Sequence, residues 1–381
     1  MEPARVAAVG VAQTIYEPFK RMTTAEMVYE AVKGALTDAG IDISEVNYIV
    51  TASVDLWDGL TASNIAVTEV VGAVMRPEVR VASDGLFAAA HAFMLVASGH
   101  HDIVLLVAHA KGSLANHFAV SNWTFDPIYQ QTLGMDFLAA AGIQANAYCE
   151  LHGLNRSHLA GVVVKNRLNG SRNPVVSGVS SISREDVLGS PVQAYPLSVC
   201  DCSPATDGAC AVVLASKSIA GRFKRPVWIK GIGYCQDVHY LGDRTLTESE
   251  ALIRAAQNAY KMAGVTKPQC EFSLAEITEP FSYQELMWME GLGLSEKGEA
   301  WKMVESGLTM LEGKFPVNPS GGLIGGSPFI IGGLARMAEA VLQIRGEAHA
   351  RQVPGASKAL VHGTAGPCGQ SHAVMILDIA D

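Results

Sequence analysis

The chain repeats itself, and that repeat restricts the fold more than any single motif in it. A short apolar strand at 6–11 has a counterpart at 227–233. Thr23-Thr24-Ala25-Glu26 then reads as a helix start, with Thr23 able to cap the first turn and Glu26 able to reach back. The helix ends at Ala39-Gly40, and residues 247–264 cover the same 17-residue step to Gly264. Glycine just past a helix end supplies the left-handed stop. A second pair matches as closely: 85–99 and 332–346 are both 14-residue steps between glycines, leading toward apolar strands at 102–107 and 359–362. The 85–99 helix is nearly all apolar, which predicts burial on every side. Two such helices facing each other across a duplicated core would supply that burial.

Strands alternating with helices imply an α/β fold of layered sheets and helices. Residues 111–197 do not repeat and read as an insertion, with a helical run at 135–152. The strand at 208–214 returns to the first half's sheet. The expected organisation is a first half at 1–110 plus 198–222, an inserted loop domain at 111–197, and a second half at 223–381.

With 381 residues, 49% hydrophobic and 17% charged, the chain predicts a large buried core. No apolar run reaches the roughly 18 residues needed to span a bilayer, so no membrane is expected. The start, Met1-Glu2-Pro3-Ala4-Arg5, has no signal-peptide architecture. Seven cysteines without framework spacing fit a reducing cytoplasm. Cys200-x-Cys202 would put two thiols on one strand face, but two further zinc ligands are missing, so no metal is expected. A net charge of −9 argues against nucleic acid. Between residues 151 and 186, however, Arg156, Lys165, Arg167, Arg172 and Arg184 face only Glu185 and Asp186. That stretch is a solvated face or a phosphate-binding surface.

The segment from Asn318 reads Asn-Pro-Ser-Gly-Gly, then Gly325-Gly326-Ser327-Pro328, then a helix. Glycines so dense mark a backbone that approaches something closely. With Glu279-Pro280-Phe281-Ser282, Asp207-Gly208-Ala209 and the ending from His362-Gly363-Thr364 to His372, this pattern resembles the thiolase superfamily over essentially the whole chain. Within it, the pattern looks like the sterol-carrier-type branch. The resemblance implies two βαβαβαββ halves, a coenzyme A thioester as substrate and no tightly bound cofactor. It also implies a homodimer, or a heterodimer with a thiolase paralogue, and a small partner carrying a zinc ribbon and an OB fold.

Such an enzyme needs a thiolate, an acid/base and an oxyanion hole. By the resemblance the thiolate stands at the start of the first buried helix, which here reads Val81-Ala82-Ser83-Asp84-Gly85. Ala82 takes the nucleophile's place and has no reactive atom. Ser83 is a helix cap or a nucleophile displaced by one residue, and Asp84 is a cap or a carboxylate pointing into the cavity. By the same resemblance Thr278 replaces the family's Asn or His, and Ser327 its His. Glu279 follows Thr278, Cys368 lies where many thiolases keep a second cysteine, and His362 and His372 flank it. Ser83, Asp84, Glu279, Cys368 and His372 are the catalytic candidates, and Tyr283 is the nearest tyrosine for aldolase chemistry. Arg156, Arg167 and Arg172 are expected near the coenzyme's phosphates, and Gly321, Gly322, Gly326 and Ser327 along its arm. Two readings stay open: an enzyme acting on acyl-CoA by altered chemistry, thiolytic or retro-aldol, and a non-catalytic subunit that pairs with an active paralogue.

Overall fold

The structure, a computed structural model, describes residues 5–381. The reading of the chain start rests on residues 1–4, which lie outside the described residues. One nine-stranded sheet carries the fold. Its strands are β1 (Val6–Gln13), β2 (Tyr48–Ala52), β3 (Glu78–Val81), β4 (Ile103–Lys111), β5 (Asp207–Ser216), β6 (Val227–Gln236), β7 (Leu274–Glu276), β8 (Lys358–Ala365) and β9 (Ser371–Asp378). Their order is β3-β2-β4-β5-β1-β6-β9-β8-β7. Read outward from the centre, each half starts with its own first strand, followed by its last, its penultimate and its second. In the second half a single parallel bridge, Ala275 to Val317, stands where the first half has β3. The duplication legible in the sequence is thus a duplication of topology. The halves join where β1 pairs antiparallel with β6, Ala7 opposite Trp228.

The principal helices are α1 (Thr24–Ala39), α2 (Gly85–Ala97), α3 (Phe137–His152), α4 (Arg156–Ser171), α5 (Glu250–Ala263), α6 (Ser282–Gly291) and α7 (Gly332–Arg345). Thr23 and Glu26 form the expected reciprocal cap, and Gly40 closes α1 in the left-handed conformation at φ 70°. In the second half the cap is Ser249, two residues beyond Thr247, and its hydroxyl accepts from Leu252 N–H at 3.2 Å.

Helices α2 and α7 pack on each other between the inward faces of both halves. Side chains of β1, β2, β4 and β5 line one side of this central core and those of β8 and β9 the other. Helix α1 covers the outer face of the first half. Helices α5 and α6 cover that of the second, joined there by α3 and α4. The expectation that the apolar α2 is buried all round is corrected: Met94 on it is 47% exposed. The more polar α7 is the enclosed one, with Arg336 and Glu339 each 1% exposed. Both charges are paired, Arg336 with Glu276 at 3.0 Å and Glu339 with Arg351 at 2.7 Å. Pairing is what makes such burial tolerable. Cys200 lies on a tight turn (Val199–Asp201) and Cys202 just beyond it, so the two do not share a strand face. Among the described residues no helix is long and apolar enough to cross a membrane.

Candidate active site

The site forms where the first turns of α2 and α7 meet. Gly85 N–H donates to Ile330 O at 3.0 Å, and a Cβ on Gly85 would lie 2.6 Å from Leu334 Cβ. Only glycine allows the two helix starts to come this close. Asp84, rather than Ser83, caps α2: its Oδ1 accepts from Leu86 N–H at 2.9 Å. Its Oδ2 accepts from Gly333 N–H at 2.7 Å, so one carboxylate ties the first turns of both helices. Room for it comes from Gly333 and Gly363, where a Cβ would stand 2.1 and 2.3 Å from Asp84 Oδ1. Burial raises the Asp84 pKa to about 7, against the pull of the Gly333 and Leu86 amides. Two helix N-termini favour its anion, and the lost solvation opposes it.

Asp84 is among the residues lining a cavity of about 250 Å³ whose wall also holds Ala82, Ser83, Thr364 and Gln370. A second cavity of about 330 Å³ lies beside it, between Phe118 and His117 on one side and the 202–206 segment on the other. Trp57, Phe137, Phe329 and Ile330 line both cavities. Sequence reading missed these aromatic walls. Trp57 comes from a loop after β2 and Phe137 from the start of α3, and nothing in their local sequence brings them together. Phe329 and Ile330 carried a signal, since they follow the Gly-rich loop directly.

The other candidates lie elsewhere. His362 and His372 bond to each other at 2.9 Å, both fully buried. They alternate with Gly363 and Ala373, so they point to the opposite face of the sheet from Asp84, toward Trp288. Burial pushes His372 down to about 3 and His362 well below its ordinary value, which leaves both rings neutral. Cys368 packs with Phe125, Ala140 and Leu241, and burial pushes its thiol up to about 12. It lines neither cavity. Thr278 donates its hydroxyl to His362 O at 2.8 Å, Tyr283 donates to Gln144 Oε1 at 2.7 Å, and Arg336 donates to Ser327 Oγ at 2.7 Å.

Glu279 belongs to a buried polar cluster. Its Oε1 accepts from Asn166 Nδ2 at 3.0 Å and from Ile324 N–H at 3.2 Å. Burial and the neighbouring Glu285 raise its pKa to about 8. Lys165, from the basic stretch, is 1% exposed and pairs with Glu285 at 3.1 Å. Arg172 pairs with Glu312 and Arg184 with Glu305, each at 2.7 Å. Arg156 donates to Ser190 O at 3.3 Å. The local positive excess is therefore largely met by carboxylates distant in sequence, and neither Arg156, Arg167 nor Arg172 lines either cavity. The Gly-rich loop does make a close approach, but to the protein itself. A Cβ on Gly321 would fall 2.6 Å from Gly170, one on Gly322 2.0 Å from Glu279 Oε1, and one on Gly326 2.7 Å from Val176.

A family model described as thiolase C-terminal domain-like matches residues 234–379. An acetyl-CoA acetyltransferase of Methanothermobacter thermautotrophicus is 34% identical over 96% of this chain and 97% of its own length. Sterol carrier protein 2 of Gallus gallus is 31% identical over 94% of this chain and 69% of its own. Among solved structures, the Ltp2-ChsH2(DUF35) aldolase superposes with a TM-score of 0.85 at 22% identity, covering 99% of this chain and 98% of that one.

Proposed function

The chain belongs to the thiolase superfamily, and on that premise we propose that it binds an acyl-CoA thioester in the paired cavities and breaks or forms a carbon–carbon bond there without an acyl-enzyme. One observation carries the reading: Asp84, a buried titratable carboxylate, is among the residues lining the cavity beside Ala82, which supplies no nucleophile. In the cleavage direction Asp84 takes the hydroxyl proton of a β-hydroxyacyl-CoA. The Cα–Cβ electron pair moves into the thioester as an enolate, and a carbonyl product leaves. Asp84 then returns the proton to Cα, and the catalyst is regenerated. A pKa of about 7 keeps its acid and base forms both populated near neutrality. The Leu86 and Gly333 amides hold the carboxylate in place between the two helix starts.

A second reading has support of its own. The hydroxyls of Thr278, Tyr283 and Ser327 are all engaged with internal partners. That suits a subunit whose catalytic work is done by a paralogue or with a zinc-ribbon/OB-fold partner. The solved aldolase above carries a name that joins two components, Ltp2 and ChsH2(DUF35), which supports assembly with a partner.

Cleavage of β-hydroxyacyl- and β-ketoacyl-CoAs by the purified protein, alone and with its natural partners, separates the readings. Asp84→Asn is expected to lower turnover at least ~100-fold with acyl-CoA binding retained. Activity of the assembled complex that survives Asp84→Asn, Glu279→Gln and Cys368→Ala would assign catalysis to another chain.

A further inference from the structure

The proposed reaction moves a proton from a β-hydroxyl to Cα, and Asp84 is poorly placed to reach both ends of that transfer. Its Oδ1 is held by the Leu86 amide and its Oδ2 by that of Gly333, and the group is 2% exposed. A carboxylate fixed in this way addresses one position in the cavity and cannot swing to a neighbouring atom. The other titratable side chain lining the same cavity is His239, which is exposed. Most remaining polar side chains in that wall are committed. Thr124 donates its hydroxyl to Ser121 O at 2.7 Å, Thr364 to Ser371 O at 3.1 Å, and the Gln370 amide donates to Asp237 O at 3.3 Å. A serine such as Ser83 is no base near neutrality.

His239 stands on the loop after β6, and that loop is braced. Asp237 N–H donates to Gln370 O at 2.8 Å and Arg244 Nη2 to Pro367 O at 3.0 Å. The His239 ring bonds the Thr124 carbonyl oxygen through Nε2 at 2.6 Å. A carbonyl can only accept, so the neutral ring carries its proton on Nε2 and its lone pair on Nδ1. No group among the described residues bonds Nδ1. One hydrogen bond thus sets both the tautomer and the orientation of a base. Resting on the carbon–carbon bond reading above, we infer that His239 is a second catalytic residue, whose Nδ1 takes the β-hydroxyl proton and hands it to Asp84. As the O–H bond breaks and the N–H bond forms, the Cα–Cβ electron pair passes into the thioester as an enolate and the carbonyl product leaves. Asp84 takes the proton from the imidazolium and delivers it to Cα, so both groups end the turnover as they began it.

The two legs of the transfer can be measured apart. Cleavage of 3-hydroxyhexanoyl-CoA to butanal and acetyl-CoA needs both groups, whereas exchange of the acetyl-CoA methyl protons with deuterium oxide needs only Asp84. Both rates are followed by NMR for the protein with its natural partners, as wild type, His239→Gln, His239→Ala and Asp84→Asn. His239→Gln keeps a donor for Thr124 O but has no basic nitrogen. It is expected to slow cleavage at least ~100-fold while exchange continues near the wild-type rate, and Asp84→Asn to lose both. His239→Ala should match His239→Gln, with cleavage recovering when imidazole is added. Cleavage by His239→Gln at the wild-type rate, loss of its exchange in step with cleavage, or no recovery of His239→Ala with imidazole each overturns the assignment and leaves the carbon–carbon bond reading standing. A wild type that neither cleaves nor exchanges removes that reading itself.

Discussion

Asp84 shows how much of a residue's chemistry is set by what surrounds it. A carboxylate at the start of an exposed helix has a lowered pKa, because the dipole and the free amides favour its anion. Here those donors are present on two helices, yet the pKa rises, because the group is 2% exposed. Glu276 and Glu279 are raised in the same way, to about 7 and about 8. In all three the folded protein holds protons more firmly than the unfolded chain does. Their contribution to stability is thus fully present below about pH 4 and is lost as pH rises through about 7 to 8. Glu279→Gln, which keeps the acceptor for Asn166 and Ile324 without the charge, is expected to match wild type near pH 5. At about pH 8 it should be more stable by on the order of 1–3 kcal/mol. Urea unfolding at the two pH values measures this. A variant no more stable than wild type at the higher pH would mean that Glu279 is ionised at no cost.

At the scale of elements, the glycines act by letting neighbours in. Gly333 opens α7 directly against Asp84, whereas Gly355 has a positive φ of 69° but no neighbour within 4 Å of where a methyl group would stand. Gly333→Ala is expected to cost about 2–4 kcal/mol and to dislodge Asp84, and Gly355→Ala only about 1 kcal/mol of backbone strain. Thermal melts of the two variants make the comparison. Helix α4 is fastened by a different means. Lys165 reaches across to Glu285 on α6 and donates to Val317 O at 2.8 Å. Lys165→Ala leaves Glu285 buried without its cation, and a loss of about 3–5 kcal/mol is expected in chemical denaturation. Surface pairs such as Arg254 with Glu250, screened by solvent, should contribute far less.

The molecule as a whole is held by a core that neither half owns. Helix α7 comes from the second half, yet it packs on α2 and against strands of the first. Residues 5–222 and 223–381 prepared separately would each leave a face of their central helix without cover. Neither fragment is therefore expected to give a cooperative melt alone, and mixing them is expected to restore one, as read by circular dichroism and limited proteolysis. Independent folding of the 223–381 fragment would show that the shared core is dispensable to it.

The sequence by itself determined the duplication, because matched caps and helix lengths are local signals. Thr23 with Glu26, Gly40, Gly264 and the glycine-bounded helices each state their geometry within a few residues. It also determined that Ala82 cannot act as a nucleophile, and it brought Asp84 to notice. The tertiary structure decided what those residues face. Strand alternation turns His362 and His372 away from Asp84, though Gly363, the residue next to His362, packs against it. The Gly-rich loop spends its close approaches on Gly170, Glu279 and Val176, and the basic stretch meets carboxylates contributed from residues 285 to 312. Whether a glycine admits a ligand or a neighbour, and whether a charge is free or paired, depends on atoms far away in sequence. No local pattern carries that information, and the packing of the two halves supplies it.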